Sequence, residues 1–236
     1  MISPKHILTT FDEALATLRN NVLMMSSLAA RSLENALNGL RERDDELCLK
    51  AIADDEEIDQ LEKQIDKEGI ELLLRYQPVA SDLRRVVAAM KLSPNLERIA
   101  DESVSIARRA RKLNKHPELA EVGLIAPLGR WAAEMFKDSI DAYVREDEAQ
   151  GRALKARDKS LDVMNAGAAR QLLARAAENP EQLRGYLNLL FIARHLERVG
   201  DHATNIGEDA VYAAAAEDIR HLPFVAANRI DETLPG

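Results

Sequence analysis

The sequence is poor in cysteine, in aromatic residues and in the two residues that break helices. Its 236 residues include 10 Gly, 8 Pro and one cysteine, and aromatic residues make up 4%. A lone Cys48 excludes an internal disulfide framework and is typical of a reducing compartment. Its neighbours Leu47 and Leu49 indicate a packed thiol. With few aromatic residues, Leu, Ala, Ile and Val must fill the core, as in packed helices.

Long apolar runs and an excess of positive charge are also missing. No run approaches the roughly 20 apolar residues that span a membrane, and the opening MISPKHILTTFDEAL lacks the apolar core of a signal peptide. The net charge of −8 argues against nucleic acid as a main partner. Basic clusters such as Arg84–Arg85 are expected near helix ends. We therefore expect a cytoplasmic protein that meets a membrane only through its partners.

Apolar residues recur at helical spacing and predict an all-α protein of six long helices. The predicted helices fall into two groups of three, 11–42, 44–76 and 80–113, then 127–145, 148–177 and 180–216. Within the third helix, Pro94 predicts a kink or a local break, because proline cannot donate the helical hydrogen bond.

The second group of helices repeats the first. A shift of about 100 residues superimposes Leu96-Glu97-Arg98 on Leu196-Glu197-Arg198, and also aligns Asp101 with Asp201. A shift of 103 residues aligns the acidic residues of the preceding helices. A repeat of this period predicts two tandem three-helix bundles of about 100 residues each.

Paired carboxylates one helical turn apart are the main candidates for a functional site. Each pair lies beside an apolar seam, so its side chains are expected at the edge of the core. The eight residues are Asp55, Asp59, Glu97 and Asp101 in the first repeat, and Asp158, Asp162, Glu197 and Asp201 in the second.

If the paired helices pack antiparallel, each repeat brings four of these carboxylates onto one surface. Like charges at such spacing raise a pKa or attract a cation, and hard oxygen ligands suit Mg, Ca, Mn or iron. A single acidic pair is more often a solvated face or half of an arginine pair, and Arg98 and Arg198 stand adjacent. The recurrence in both repeats favours a metal surface.

Two segments, LERIADESVSI and HLERVGDHATNIGE, resemble the E(D)xxxD signatures of the PhoU family, whose usual form is close to LERIGDHAxNIAE. The second copy matches almost letter for letter. In the first, Ala100 stands where Gly is usual, Glu102 replaces His, and Pro94 precedes the motif. DDEEIDQLEKQID, QPVASDLRRVVAAMK and the FDEAL opening are similar as well, so the resemblance covers about residues 6–216.

The resemblance implies two PhoU-type three-helix bundles with internal pseudo-two-fold symmetry, over residues 1–115 and 116–218, followed by a tail over 219–236. It implies a homodimeric negative regulator of phosphate uptake and phosphate-starvation signalling. Such a regulator acts without catalysis between the ATPase subunit PstB of the phosphate ABC transporter and the sensor histidine kinase PhoR. Family members carry Fe, Zn, Mg or Mn at the E(D)xxxD carboxylates, which correspond here to the eight residues above.

Three alternatives remain open. A carboxylate-bridged helical metalloenzyme would need Glu-x-x-His ligands, and neither His195 nor His202 has that spacing; for His202 we expect a surface or capping role. A histidine phosphotransfer module would need one exposed His and would not be expected to carry a duplication. An accessory regulator of another ion transporter would share every feature above. The sequence has no Gly-rich phosphate loop and no nucleophile–base set, so we do not expect an enzyme.

Overall fold

The computed structural model describes residues 4–220, and the side chains of residues 10–220. These residues form helices and no strand, which confirms the all-α prediction. The helices are α1 (Pro4–Arg41), α2 (Asp45–Ala53), α3 (Asp55–Tyr76), α4 (Ala80–Leu113), α5 (Ile125–Arg145), α6 (Glu148–Glu178) and α7 (Leu183–Ala215), with short 3-10 turns at Ala120–Leu124 and Pro180–Gln182. Within this range, no helix has both the length and the apolar composition needed to cross a bilayer.

The helices form the two predicted three-helix bundles. One contains α1, α4 and the pair α2–α3, and the other contains α5, α6 and α7, while α4 and α7 pack against each other between them. The domain boundaries near residues 115 and 218 stay predictions, and residues 221–236 of the predicted tail lie outside the described part of the chain.

The helix predicted over residues 44–76 is interrupted at Asp54. Asp44 caps α2, since its carboxylate accepts from the backbone N–H groups of Glu46 and Leu47 at 2.7 and 3.2 Å. The guanidinium of Arg31 on α1 donates two hydrogen bonds to the carboxylate of Asp54, at 2.7 and 3.1 Å. Because α3 begins directly afterwards, Asp55 occupies its first turn, where the helix dipole favours negative charge.

Helix α4 runs without a break through Pro94, so the local break that was one of the two predicted outcomes is absent. Proline lacks the N–H group that would bond the carbonyl oxygen of Met90. The hydroxyl of Ser93 donates to that oxygen instead, at 3.3 Å, and the side-chain amide of Asn95 donates to the carbonyl of Lys91 at 3.2 Å. Side chains next to the proline therefore supply hydrogen bonds to this turn of the helix.

The contact between α4 and α7 displays the pseudo-two-fold symmetry directly. Nδ1 of His195 lies 2.5 Å from a carboxylate oxygen of Glu102, and Nδ1 of His202 lies 3.1 Å from Oδ1 of Asn95. A shift of 100 residues exchanges the positions of one pair with those of the other. Each equivalent position therefore contacts the other repeat in the same way: position 95/195 of one repeat pairs with position 102/202 of the other.

A second symmetric pair of positions holds two different interactions. The ammonium group of Lys91 lies 3.3 Å from the carboxylate of Asp209. At the equivalent positions, the guanidinium of Arg109 stacks over the ring of Phe191, 3.9 Å from its centroid. One of these equivalent contacts is therefore an ion pair and the other is a cation–π contact, and both are attractive.

The core follows the predicted seams of α4 and α7. Their large side chains are fully buried, with 0% exposure at Leu92, Leu96, Ile99, Ile106, Ile192, Leu196, Val199 and Ile206. Cys48 also has 0% exposure, as predicted, and burial raises the pKa of its thiol to about 11. The thiol is therefore uncharged at neutral pH and fills space in the first bundle.

Two glycines of α6 give a matched stability test. A Cβ atom at Gly151 would lie 2.8 Å from the backbone oxygen of Gly207 and from a methyl group of Val211, whereas one at Gly167 would meet nothing within 4 Å. We expect Gly151→Ala to lower the free energy of unfolding by about 1–3 kcal/mol. We expect Gly167→Ala to raise it by up to about 1 kcal/mol, because alanine favours the helix. Urea unfolding followed by circular dichroism measures both, and equal effects would contradict a close crossing of α6 and α7.

Candidate metal centre

The first acidic cluster lies where α3 packs against α4, and it contains the four carboxylates predicted for the first repeat. Burial raises the pKa of Asp55, and the charges of Asp101 and Asp59 raise it further. Burial also raises the pKa of Glu97 to about 7, again with help from Asp101. These mutual effects mean that the four carboxylates are near enough for their charges to influence one another.

Arginine side chains partly neutralise the first cluster. The guanidinium of Arg98 lies 3.4 Å from a carboxylate oxygen of Glu97 and 3.3 Å from one of Asp101. The charge of Arg108 also lowers the pKa of Asp55, against the larger effects of burial and of Asp101 and Asp59. The cluster therefore has counter-charges supplied by α4 itself.

The second acidic cluster lies between α6 and α7. Burial raises the pKa of Asp158 to about 6, and the charges of Asp201, Asp162 and Glu197 act in the same direction. The pKa of Asp201 is raised by burial and then by Glu197. The predicted carboxylates of the second repeat are thus brought together as in the first.

Glu197 is held in place by two hydrogen bonds. The side-chain amide of Asn165 on α6 donates to one of its carboxylate oxygens, and Arg194 on α7 donates to the other. Its side chain is only 16% exposed. Glu197 is therefore oriented within the cluster by residues from both helices.

Two carboxylates of the second cluster, Asp158 and Asp201, line a cavity of about 530 Å³. Two buried oxygen atoms in its wall, Oδ1 of Asp158 and Oγ1 of Thr204, have no hydrogen-bond partner. Gly200 permits the close approach of Leu161, because a Cβ atom there would lie 2.5 Å from a methyl group of that residue. The cavity walls come from Lys155, Asp158, Asp201, Thr204, Asn205, Glu208 and Arg220.

The donor set of both clusters is composed of oxygen atoms. Carboxylate oxygens suit Mg, Mn and iron, whereas structural zinc sites use sulfur and nitrogen ligands. Among the described residues, no three His, Cys, Asp or Glu side chains converge as a ready-made metal site. Ion binding would therefore require carboxylates to rotate toward a common point. The unpaired Oδ1 of Asp158 is the atom that best fits such an ion, and the metal role of all eight residues stays a prediction.

Two carboxylates of the clusters, Glu62 and Glu208, were not predicted from the sequence. Glu62 joins the first cluster, since burial and the charges of Asp66 and Asp59 raise its pKa. Glu208 joins the second cluster, where its charge acts on Asp158. A search for carboxylates three or seven positions beyond the recognised pairs would have found both, because those spacings return to the same helix face.

The two histidines of the second signature region lie in the contact between the repeats. The side chain of His195 is 13% exposed and pairs with Glu102, and the half-buried His202 pairs with Asn95 of α4. The surface or capping role expected for His202 is therefore wrong. A phosphotransfer histidine needs exposure, so neither residue supports that alternative.

The raised pKa values predict how the stability of the metal-free protein depends on pH. A folded-state pKa of about 6 at Asp158 means that folding favours its protonated form. The cost of ionising it is present above about pH 6 and disappears as the pH falls toward its ordinary value near 4. Glu97, with a pKa of about 7, acts in the same direction. In chelator, these groups should therefore make the protein more stable at pH 5.5 than at pH 7.5.

Asp158→Asn tests this dependence. We expect it to raise the free energy of unfolding at pH 7.5 by about 1 kcal/mol, after allowance for solvent screening, and to flatten the pH profile. Glu178→Gln removes an exposed carboxylate at the end of the same helix and should leave the profile unchanged. Urea unfolding at both pH values measures the effect, and identical slopes for wild type and Asp158→Asn would count against it.

The fold and its two clusters define a class of proteins built from two three-helix repeats that each carry an acidic surface. The family model described as "PhoU domain" matches residues 22–110 and 125–210, one match in each repeat. The chain belongs to the PhoU family.

Curated relatives and solved structures agree with this assignment. The chain is 33% identical over 214 residues to the phosphate-specific transport system accessory protein PhoU homolog of Xylella fastidiosa, covering 91% of this chain and 89% of that protein. The homolog of Pseudomonas aeruginosa is 34% identical over 218 residues, covering 92% and 90%. A crystal structure of PhoU from Pseudomonas aeruginosa has a TM-score of 0.85 at 33% identity, covering 88% of this chain and all of that one.

Proposed function

We propose that this protein is an accessory regulator of a phosphate-specific transport system and that it acts without catalysis. The observation that carries the proposal is the match to PhoU accessory proteins over about nine tenths of the chain, with both repeats included. The regulation is negative, and it covers phosphate uptake and phosphate-starvation signalling. The protein acts in the cytoplasm as a homodimer.

The partners are the transporter ATPase subunit PstB and the sensor kinase PhoR. Their identity rests on the family resemblance, and the geometry supports a binding role in general. Both histidines of the second signature region are engaged between the repeats, and the carboxylates form repeated surface clusters. Such surfaces suit recognition of a partner or an ion better than proton transfer within an enclosed pocket.

The partner proposal is tested by pull-down with purified proteins. The tagged chain is incubated with PstB, with the cytoplasmic part of PhoR, and with the ATPase subunit of an ABC importer for a different ion. Retention of PstB and PhoR supports the proposal. Retention of the third protein alone would favour the regulator of another ion transporter, and retention of none would overturn the regulatory role.

The carboxylate clusters supply the second part of the proposal, which is binding of a hard cation such as Mg, Mn or iron, with zinc less well suited to the oxygen donors. A bound ion would offset the burial of the carboxylates and the repulsion among them, which together raise their pKa values. Binding of the cation would make each acidic surface less negative. That change in charge would alter which partner protein the surface binds.

Elemental analysis tests the metal part. Protein loaded with Mn²⁺ or Fe²⁺ and then desalted is compared with a Glu197→Ala/Asp201→Ala variant. The matched control is Glu178→Ala/Glu181→Ala, which removes two exposed carboxylates outside the clusters. We expect the first variant to lose metal and the control to retain it. Equal metal content in all three proteins would show that Glu197 and Asp201 do not bind the metal.

A further inference from the structure

An open groove runs between α1 and α5, and none of the cluster carboxylates lines it. The groove has a volume of about 960 Å³, and more than half of the residues that line it are apolar. Half-buried Leu23, Leu37 and Ile140 line it together with the exposed Ala30, so the groove is open to water. A contiguous apolar surface of this kind marks a site that binds another molecule.

The two walls of the groove are copies of each other. Eight of the nine lining residues on α5 stand 103 positions after a lining residue of α1, which is the shift that relates the repeats. The walls meet where a Cβ atom at Gly129 would lie 2.8 Å from a methyl carbon of Leu37. The same shift converts this contact into one between Ser26 and Ile140. The two helices are therefore antiparallel, and the pseudo-two-fold axis passes through the middle of the groove.

Charges of both signs line the groove in equal number. The acidic residues are Glu34, Glu118 and Asp141, and the basic residues are Arg41, Arg130 and Lys137. Among residues 10–220, four of these charges have no ion-pair partner, namely Glu34, Arg130, Lys137 and Asp141. The whole chain carries a net charge of −8, so a surface with balanced charge is one where two copies can approach without like-charge repulsion.

The antiparallel register decides which charges meet when two such grooves face each other about a two-fold axis. Since Leu37 lies opposite Gly129, Glu34 and Arg130 stand at nearly the same level, about 3 Å apart along the groove. If α1 of each copy covers α5 of the other, Glu34 therefore meets Arg130 of the other copy, and the pair occurs twice. If α1 instead covers α1, Arg130 comes level with Lys137 of the other copy, which opposes like charges. Charge complementarity favours the first arrangement.

We propose that this groove is the surface through which two copies of the chain associate, with α1 of each copy packed against α5 of the other. The inference rests on the homodimer of the proposed function and assigns its interface. The lined stretch of α1 from Leu23 to Arg41 is about 27 Å long, and two helices each about 10 Å wide give a footprint of about 540 Å². Side chains roughen that footprint, which brings it to the scale of the roughly 800 Å² per partner that a stable interface buries.

Charge reversal tests the interface, with self-association measured by sedimentation equilibrium over a range of protein concentrations. We expect the wild type to dimerise. Glu34→Arg and Arg130→Glu each place like charges together twice in a symmetric dimer, so each should weaken self-association by about tenfold or more. The controls Glu13→Arg on α1 and Arg170→Glu on α6 make the same changes at exposed positions outside the groove. They should dimerise as the wild type does.

An equimolar mixture of Glu34→Arg and Arg130→Glu gives the sharper result. In the mixed dimer, the two basic side chains of one variant face the two acidic side chains of the other, so both contacts again join opposite charges. We expect the mixture to associate about as tightly as the wild type. Circular dichroism confirms that each variant is folded, and a loss of association caused by misfolding would not be reversed by mixing.

The remaining outcomes separate the inference from the homodimer on which it rests. A monomeric wild type would overturn the inference and remove the homodimer from the proposed function, while the pull-down result would stand. A wild-type dimer that neither variant weakens would overturn the assigned surface and leave the homodimer in place. Variants that weaken the dimer but do not recover on mixing would overturn the packing of α1 against α5.

Discussion

Leu196→Ala is expected to lower the free energy of unfolding by about 3–4 kcal/mol, the typical cost of truncating a fully buried leucine. Leu196 has 0% exposure and lies in the seam of α7. That helix packs against α4, α5 and α6, so a cavity at this point faces several rigid neighbours. Chemical denaturation followed by circular dichroism measures the loss.

The control for this substitution lies on the same helix. Leu187 is 42% exposed, and Leu187→Ala removes the same atoms from a site that water already reaches. We expect it to cost less than about 1 kcal/mol. A similar loss for the two variants would mean that Leu196 does not hold the bundle together.

Glu102→Ala is expected to lower the free energy of unfolding by about 2–3 kcal/mol, because it leaves buried polar partners unpaired. The Glu102 side chain is 12% exposed and accepts from the ring of His195 and, at 3.4 Å, from the guanidinium of Arg198. Nε2 of His195 in turn lies 3.3 Å from the guanidinium of Arg109. A neutral His195 with its proton on Nδ1 satisfies both contacts.

Glu102→Gln is the matched comparison. The glutamine carbonyl can still accept from the His195 ring, so only the charge is removed, and we expect less than half of the loss caused by Glu102→Ala. The pKa of Glu102 is held below its ordinary value by His195 and Arg198, against the opposing effect of burial, so the charged form is the one that stabilises the fold. Equal stability of wild type and Glu102→Ala would show that this contact gives no net stabilisation.

The fold was predictable because the repeat and the apolar periodicity are local properties. The seams of α4 and α7 and the packed thiol of Cys48 follow from residues a few positions apart, and the structure confirms them. The interruption at Asp54 was not predictable in this way, because its carboxylate meets Arg31 of another helix. Unbroken helicity through Pro94 likewise depends on which side chains happen to stand beside the proline.

The candidate site was predictable only in part. Spacing along one helix identifies each carboxylate pair, and two such helices packed together explain the four-membered clusters. The effects of Arg108 on Asp55 and of Glu208 on Asp158 depend on which helices pack together, and spacing along one helix does not record that.

By itself, the sequence determined that this protein is a duplicated all-helical chain with an acidic pair on each of four helices, since periodicity and repeats are written along the chain. Tertiary structure alone decided which charges meet. It left Asp158 half-buried within reach of other carboxylates in one repeat and let the charge of Arg108 act on Asp55 in the other. It also brought His195 to Glu102, 93 residues away. The physical reason is that burial and electrostatic interaction depend on distance in space, which only the packing of the helices sets.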